Sequence, residues 1–173
     1  VVFNTAMVGY PEQLTDPSYR GQLLVCTYPL IGNYGVPPND TDDTGLPSFF
    51  ESKAVHITAL IVSEYSSDSC HWNQAQSLGS WLKEFGVPGL SGIDTRALTK
   101  RIREHGAMLG KIVFEGMDEA TVEQTNPNTT HLVAQVSTKA PQLFTSMKEN
   151  PRLNSSGKPM RIVAVDCGIK ANI

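Results

Sequence analysis

Two stretches of this chain are too rich in apolar and β-favouring residues for a strand wetted on one side: LLVCTY at 23–28 and VHITALIV at 55–62. A half-exposed strand alternates apolar and polar residues. A continuous run suits a strand buried on both faces, as in a parallel sheet covered by helices. KIVF at 111–114 supplies a shorter third candidate. The helices such a sheet requires are also legible. In HWNQAQSLGSWLKEFG, Leu78, Trp81, Leu82 and Phe85 recur at i, i+3, i+4 and i+7, one face of a helix, with Gly86 and Pro88 to stop it. In GIDTRALTKRIREHG, Asp94 suits the N-cap and Gly106 the C-terminal stop. There Leu98 and Ile102 mark the buried side, while Arg96, Lys100, Arg101, Arg103 and Glu104 mostly face water. The pattern predicts an α/β domain with helices packed on a sheet.

At 173 residues the chain has room for one domain with a real core, or one domain and a piece of another. A hydrophobic share of 40% with 18% charged residues is ordinary for a soluble globular protein. The formal net charge of −3 and the pI near 5.8 argue against a nucleic-acid or anionic-membrane surface. No apolar stretch approaches the roughly 18 residues that span a bilayer. The three cysteines, Cys26, Cys70 and Cys167, lie far apart, which fits neither a disulfide framework nor a CxxC metal site. A reducing compartment is the simpler reading. The chain opens on VVFNT without a methionine and reads as an excised piece.

From Ser137 to Met160 the character changes. Pro141, Pro151 and Pro159 stand among Ser, Asn, Lys and Gly with little periodicity, which is linker chemistry. RIVAVDCG at 161–168 then reads as a fresh buried strand ending in a glycine turn. A first strand without partners cannot fold alone, so 161–173 is expected to be the start of a second domain. It should add little to the stability of the first.

Catalytic constellations are scarce. The four histidines (His56, His71, His105, His131) show no HxxxH or HExxH spacing, and His56 reads as a core-edge side chain of a strand. Cys70 and His71 adjoin in sequence, but chain neighbours in a strand point apart, and a working thiol–imidazole pair usually joins separated positions. Cys167 follows a strand, with no base nearby in sequence. GNYG at 32–35 is too short and wrongly spaced for a phosphate loop and reads as a glycine turn. TDPSY at 15–19 is more pointed. Pro17 fixes its own φ and pushes Asp16 toward extended geometry, so Ser18 sits on a turn of preset direction. Its hydroxyl either bonds nearby backbone or is held out for a ligand, and five residues do not decide between the two.

Three ordered blocks carry a resemblance: VVFNTAMVGYPEQLTDPSYRGQLLVCTYPLIGNYG, GIDTRALTKRIREHGAMLGKI and RIVAVDCGIKANI. Together they resemble the small-subunit region of glutamine-dependent carbamoyl-phosphate synthetases. DDTGLPSFFES at 42–52 looks like an extension of the kind seen in eukaryotic forms. The whole is most similar to the synthetase region of multifunctional animal and fungal pyrimidine proteins, fused there to aspartate carbamoyltransferase and dihydroorotase.

The resemblance implies a three-layer β/β/α domain of the swivelling type over residues 1–137, without its first strand or two. A linker at 138–160 follows, then the truncated first strand of a class I glutamine amidotransferase domain at 161–173. The family's Cys–His–Glu triad lies beyond Ile173, so no catalytic residue is expected among Cys26, Cys70 and Cys167, and the fragment alone should hydrolyse no glutamine. By the same resemblance Ser18 matches a serine that reaches across the domain boundary to bound glutamine, where the ammonia-dependent urea-cycle form carries alanine. The implied partners are the amidotransferase and synthetase regions of the same polypeptide, with glutamine as substrate and the cytoplasm as compartment. This segment is expected to bind no cofactor or metal; ATP and Mg2+ serve the synthetase region of the parent enzyme. Other readings are a non-enzymatic interaction module, a thiol hydrolase using Cys70 or Cys167, and a glutamine-dependent synthase of the arginine or urea branch.

Overall fold

The computed structural model describes residues 1–145 and 152–173. Along the chain the elements run β1 (Val2–Asn4), α1 (Tyr10–Thr15), β2 (Leu23–Cys26), β3 (Leu30–Ile31), β4 (Ala59–Ile61), β5 (Glu64–Tyr65), α2 (Leu78–Glu84), β6 (Gly89–Leu90), α3 (Thr95–His105) and α4 (Leu132–Val136). Short 3-10 turns lie at Pro17–Tyr19, Glu119–Thr121 and Pro127–Thr129. The protein is α/β. Its main sheet is parallel throughout, in the order β1-β2-β4-β6, and β3 pairs with β5 in a small parallel pair of its own.

The apolar runs form the middle of the main sheet, as their composition demands. Leu24 lies between Val2 of β1 and Leu60 of β4. Successive side chains take opposite faces of a strand. Leu24, Cys26, Leu60 and Val62 pack with Tyr10 and Leu14 of α1 and with Leu78, Trp81 and Leu82 of α2. Val25 and Ile61 point the other way, onto Ile102 of α3 with half-buried Leu98 beside it. Both faces of the sheet are covered, which is why β2 and β4 need no polar alternation. Each fully buried aliphatic side chain here contributes about 1.5–3 kcal/mol.

Several expectations change at their edges. Phe85 stands outside α2, at its C-cap, and is 44% exposed with its ring edge-on to Trp81. His56 precedes β4 instead of lying in a strand. KIVF at 111–114 forms no strand; Val113 and Phe114 are exposed and no ladder pairs them. Residues 161–166 pair with no strand among the described residues, and Ile162, Val163 and Val165 are 88%, 91% and 84% exposed. An apolar run becomes a strand only where backbone donors and acceptors stand opposite it. Of the expected linker, 146–151 (with Pro151) lies outside the described residues; 152–160 holds one bridge, Leu153 to Pro159. Among the described residues no helix is long and apolar enough to cross a membrane.

Candidate functional site at the Thr15–Tyr19 turn

Helix α1 begins without a Ser, Thr, Asp or Asn cap. Its first amides, of Gly9 and Tyr10, donate instead to the Tyr34 hydroxyl at 2.7 and 3.0 Å. Tyr34 stacks on Tyr10 (centroids 4.2 Å apart), and the Tyr10 hydroxyl donates to the Gly35 carbonyl at 2.6 Å. GNYG is thus a glycine turn clamped onto α1. At Gly35 (φ 66°) an added Cβ would lie 2.8 Å from the Gln76 carbonyl oxygen.

Helix α1 stops where proline geometry requires it. Asp16, preceding Pro17, is extended (φ −71°, ψ 119°), and its Oδ1 accepts the Ser18 amide at 2.8 Å. Pro17 is buried, and the Tyr19 hydroxyl accepts from Asn4 Nδ2 at 2.8 Å. Thr15, 2% exposed, donates its hydroxyl to the Pro11 carbonyl at 2.9 Å and accepts the Glu51 amide at 3.0 Å. Ser52 Oγ donates to the Thr15 carbonyl at 2.7 Å. The turn is held on every side, yet Ser18 is exposed and its hydroxyl has no hydrogen-bond partner among the described residues. The local-turn alternative thus describes the Asp16 carboxylate and the Ser18 amide, not the Ser18 hydroxyl.

The chain returns to this turn from far away in sequence. Lys170 Nζ lies 3.4 Å from Asp16 Oδ2. The Ala171 amide donates to the Glu51 carbonyl at 2.8 Å, and Asn172 Nδ2 donates to Glu51 Oε1 at 2.8 Å. Asp166 accepts the amides of Ile169, Thr138 and Gly168, and these donors hold its carboxyl below the usual range. Gly168 (φ 102°) passes so close that an added Cβ would meet Val136 at 2.8 Å and Pro17 at 3.4 Å. A cavity of about 530 Å3 adjoins this contact, lined in part by Glu12, Asp42, Glu51 and Asn172.

The other sequence candidates do not assemble. Cys26 is buried, and burial pushes its thiol up to about 12. Cys70 and His71 are exposed; the Cys70 amide bonds the Asn33 carbonyl and His71 Nδ1 accepts the Asn73 amide. Cys167 is exposed on the returning segment. His56 Nε2 lies 2.9 Å from Ser52 Oγ, a pairing the sequence does not signal, but that hydroxyl already bonds the Thr15 carbonyl. Burial, then the nearby charge of Arg20, lowers the His56 pKa. Among the described residues no three His, Cys, Asp or Glu side chains stand where they could hold a metal. Glu51, Lys170 and Asn172 were invisible as site residues: Glu51 falls in the stretch read as an extension, and its partners Ala171 and Asn172 are 120 and 121 positions away.

A second cleft, of about 410 Å3, opens over the C-terminal ends of β1, β2 and β4, where Thr5, Thr27 and Ser63 meet Arg96, Lys100 and Arg103 of α3.

Comparison with known proteins gives these features a context. Residues 1–112 match the family model described as carbamoyl-phosphate synthase small chain, CPSase domain. "Multifunctional protein CAD" of Squalus acanthias is 51% identical over 99% of this chain, which spans 7% of that protein. "Carbamoyl-phosphate synthase [ammonia], mitochondrial" of Mus musculus is 47% identical over the whole chain, here 11% of the relative. "Carbamoyl phosphate synthase arginine-specific small chain" of Eremothecium gossypii is 46% identical over the whole chain, here 42% of the relative. The chain therefore spans under half of each of these proteins. Such identity along its full length, joined to the family match over 1–112, means that the chain belongs to the carbamoyl-phosphate synthase small chain family.

Proposed function

We propose that this chain is a scaffold and interface domain in the glutamine-hydrolysing region of a carbamoyl-phosphate synthase, acting in the first step of pyrimidine synthesis and lending Ser18 to the glutamine site. The observation that carries the reading is the Thr15–Tyr19 turn, held by its hydrogen bonds while its one serine hydroxyl stays exposed, with no hydrogen-bond partner among the described residues. A donor fixed in place before binding loses little freedom when it meets a ligand. In this reading residues 1–137 form a swivelling-type β/β/α domain, 138–160 lead onward, and 161–173 begin a glutamine amidotransferase domain. The exposed run at 161–166 becomes a strand once the neighbours of that domain stand beside it. Glutamine hydrolysis by a thiolate belongs to the amidotransferase region. Formation of carbamoyl phosphate from ammonia, bicarbonate and ATP with Mg2+ belongs to the synthetase region. Ser18 is the one described residue assigned a substrate contact, and the compartment is the cytoplasm.

The 46% identity to an arginine-specific small chain favours a second reading, the arginine branch, in which Ser18 keeps the same role. Gene disruption separates the two: a pyrimidine requirement supports the first, an arginine requirement the second.

The test of the site is Ser18→Ala in the full polypeptide. Loss of one hydroxyl contact to glutamine should cost about 1–2 kcal/mol, roughly five- to thirty-fold in glutamine-dependent kcat/KM. Synthesis from added ammonia should be nearly unchanged, because ammonia bypasses glutamine hydrolysis. Equal loss of both activities would return the turn to a purely structural role. No effect in a normally folded variant would discard the hydroxyl contact.

A further inference from the structure

Glu51 is 8% exposed, a rare position for a carboxylate, and its bonds run to two separated parts of the chain. Its amide is held by Thr15 Oγ1, and the next residue, Ser52, bonds the Thr15 carbonyl. This fixes Glu51 to the end of α1, three residues before Ser18. Its carbonyl and Oε1 then receive the Ala171 amide and Asn172 Nδ2, both at 2.8 Å. Asp16 adds a parallel connection, with Oδ1 on the Ser18 amide and Oδ2 facing Lys170. The turn and the loop tied to it through Thr15 thereby grip neighbouring residues of the returning segment, and the Ser18 amide bonds Asp16, which makes one of the two grips.

Burying a carboxylate is costly unless its oxygens are bonded, and Glu51 Oε2 is buried with no hydrogen-bond partner among the described residues. Two contacts on adjacent residues also restrain rotation of the segment, which a single contact would leave free. We propose that Glu51 is a positioning residue: through Asn172 and Ala171 it sets the distance and orientation between Ser18 and the returning segment, with which, on the reading above, the amidotransferase domain begins. The catalytic consequence rests on the glutamine reading above; the clamp itself does not.

The test uses four variants of the full polypeptide. Glu51→Ala removes the acceptor for Asn172, and Asn172→Asp sets two carboxylates against each other. Glu51→Gln keeps an acceptor, with its amide nitrogen placed where Oε2 lies unpaired. Glu51→Gln with Asn172→Asp rebuilds the bond with donor and acceptor exchanged. Hydrogen exchange at the amides of 168–171 should quicken at least tenfold in Glu51→Ala and Asn172→Asp. It should stay near the wild-type rate in Glu51→Gln and recover in the double variant. Glutamine-dependent kcat/KM should fall five-fold or more in the two disruptive variants, mostly through KM, with ammonia-dependent kcat unchanged.

Exchange unaltered in both disruptive variants, or no recovery in the double variant, overturns the clamp. Quickened exchange with both kinetic readouts unmoved overturns the positioning role. A wild-type enzyme that uses only ammonia would overturn the functional reading instead, and the exchange measurements would then decide the clamp alone.

Discussion

His56 shows how one side chain near the site reports the state of the fold. Burial is the main cause of its lowered pKa and the charge of Arg20 the second, opposed by Asp16. The folded state therefore holds the neutral imidazole, while the unfolded chain takes up a proton near pH 6.5. Above that value His56 costs no stability. As pH falls through 6.5 toward the lower folded pKa, the unfolded state binds more protons and stability drops. Urea midpoints measured between pH 7.5 and 5.5 should therefore fall with pH, and His56→Gln should flatten that slope. An equally steep slope in the variant would assign the effect to other groups. His71 and His105 are exposed and offer no comparable burial. At this scale the sequence was informative about bonds within a turn. Asp16-Pro17 predicted extended backbone and a fixed Ser18, and both are present. It was silent about Glu51 because nothing local distinguishes a glutamate that will be buried by residue 172.

Among the elements, α2 and α3 were legible because each carries its own start, stop and apolar face. Ser77 accepts the Ser80 amide at 3.2 Å, and Asp94 accepts the Ala97 amide at 2.8 Å. Helix α1 was missed for the opposite reason: its N-terminal acceptor is Tyr34, supplied from a different loop. The strand lengths were overread for a related cause. LLVCTY and VHITALIV extend beyond the strands: the strands cover 23–26 and 59–61, and past their ends Thr27 and Val62 add one bond each, to the carbonyls of Asn4 and Leu90. Asp94 also lines the cleft at the C-terminal ends of the strands, with Arg96, Lys100 and Arg103, so its role can be tested at element level. Asp94→Ala should cost about 1 kcal/mol of stability, while Asp94→Asn should be within a few tenths, because either side chain can accept the N3 amide. Chemical unfolding of the two variants measures this. An equal loss in both would mean that the negative charge, set beside Arg96 and Lys100, matters more than the cap.

For the molecule as a whole, the returning segment poses a question of energy against geometry. Residues 161–165 are exposed and pair with no strand among the described residues, whereas Lys170, Ala171 and Asn172 bond the first part of the chain. Each hydrogen bond contributes about 1 kcal/mol net, and a partly exposed ion pair such as Asp16–Lys170 contributes about 0–1. Ordering the backbone opposes this by about 1–2 kcal/mol per residue, so the segment adds little net stability. Deleting 161–173 should therefore move the melting midpoint by no more than about 5 °C, given the few degrees per kcal/mol typical of this size. A fall beyond about 10 °C would show the segment to be part of the core, and its contacts with Glu51 would then be packing. The small shift has the opposite meaning. Contacts that fall short of their own ordering cost cannot hold a free tail firmly, but on the reading proposed above they can fix the approach of an amidotransferase domain whose own stability has already ordered the segment. Hydrogen exchange at 168–171 should accordingly be much slower in the full polypeptide than in residues 1–173 alone. Equal rates in the two would mean that the rest of the polypeptide adds nothing to the clamp.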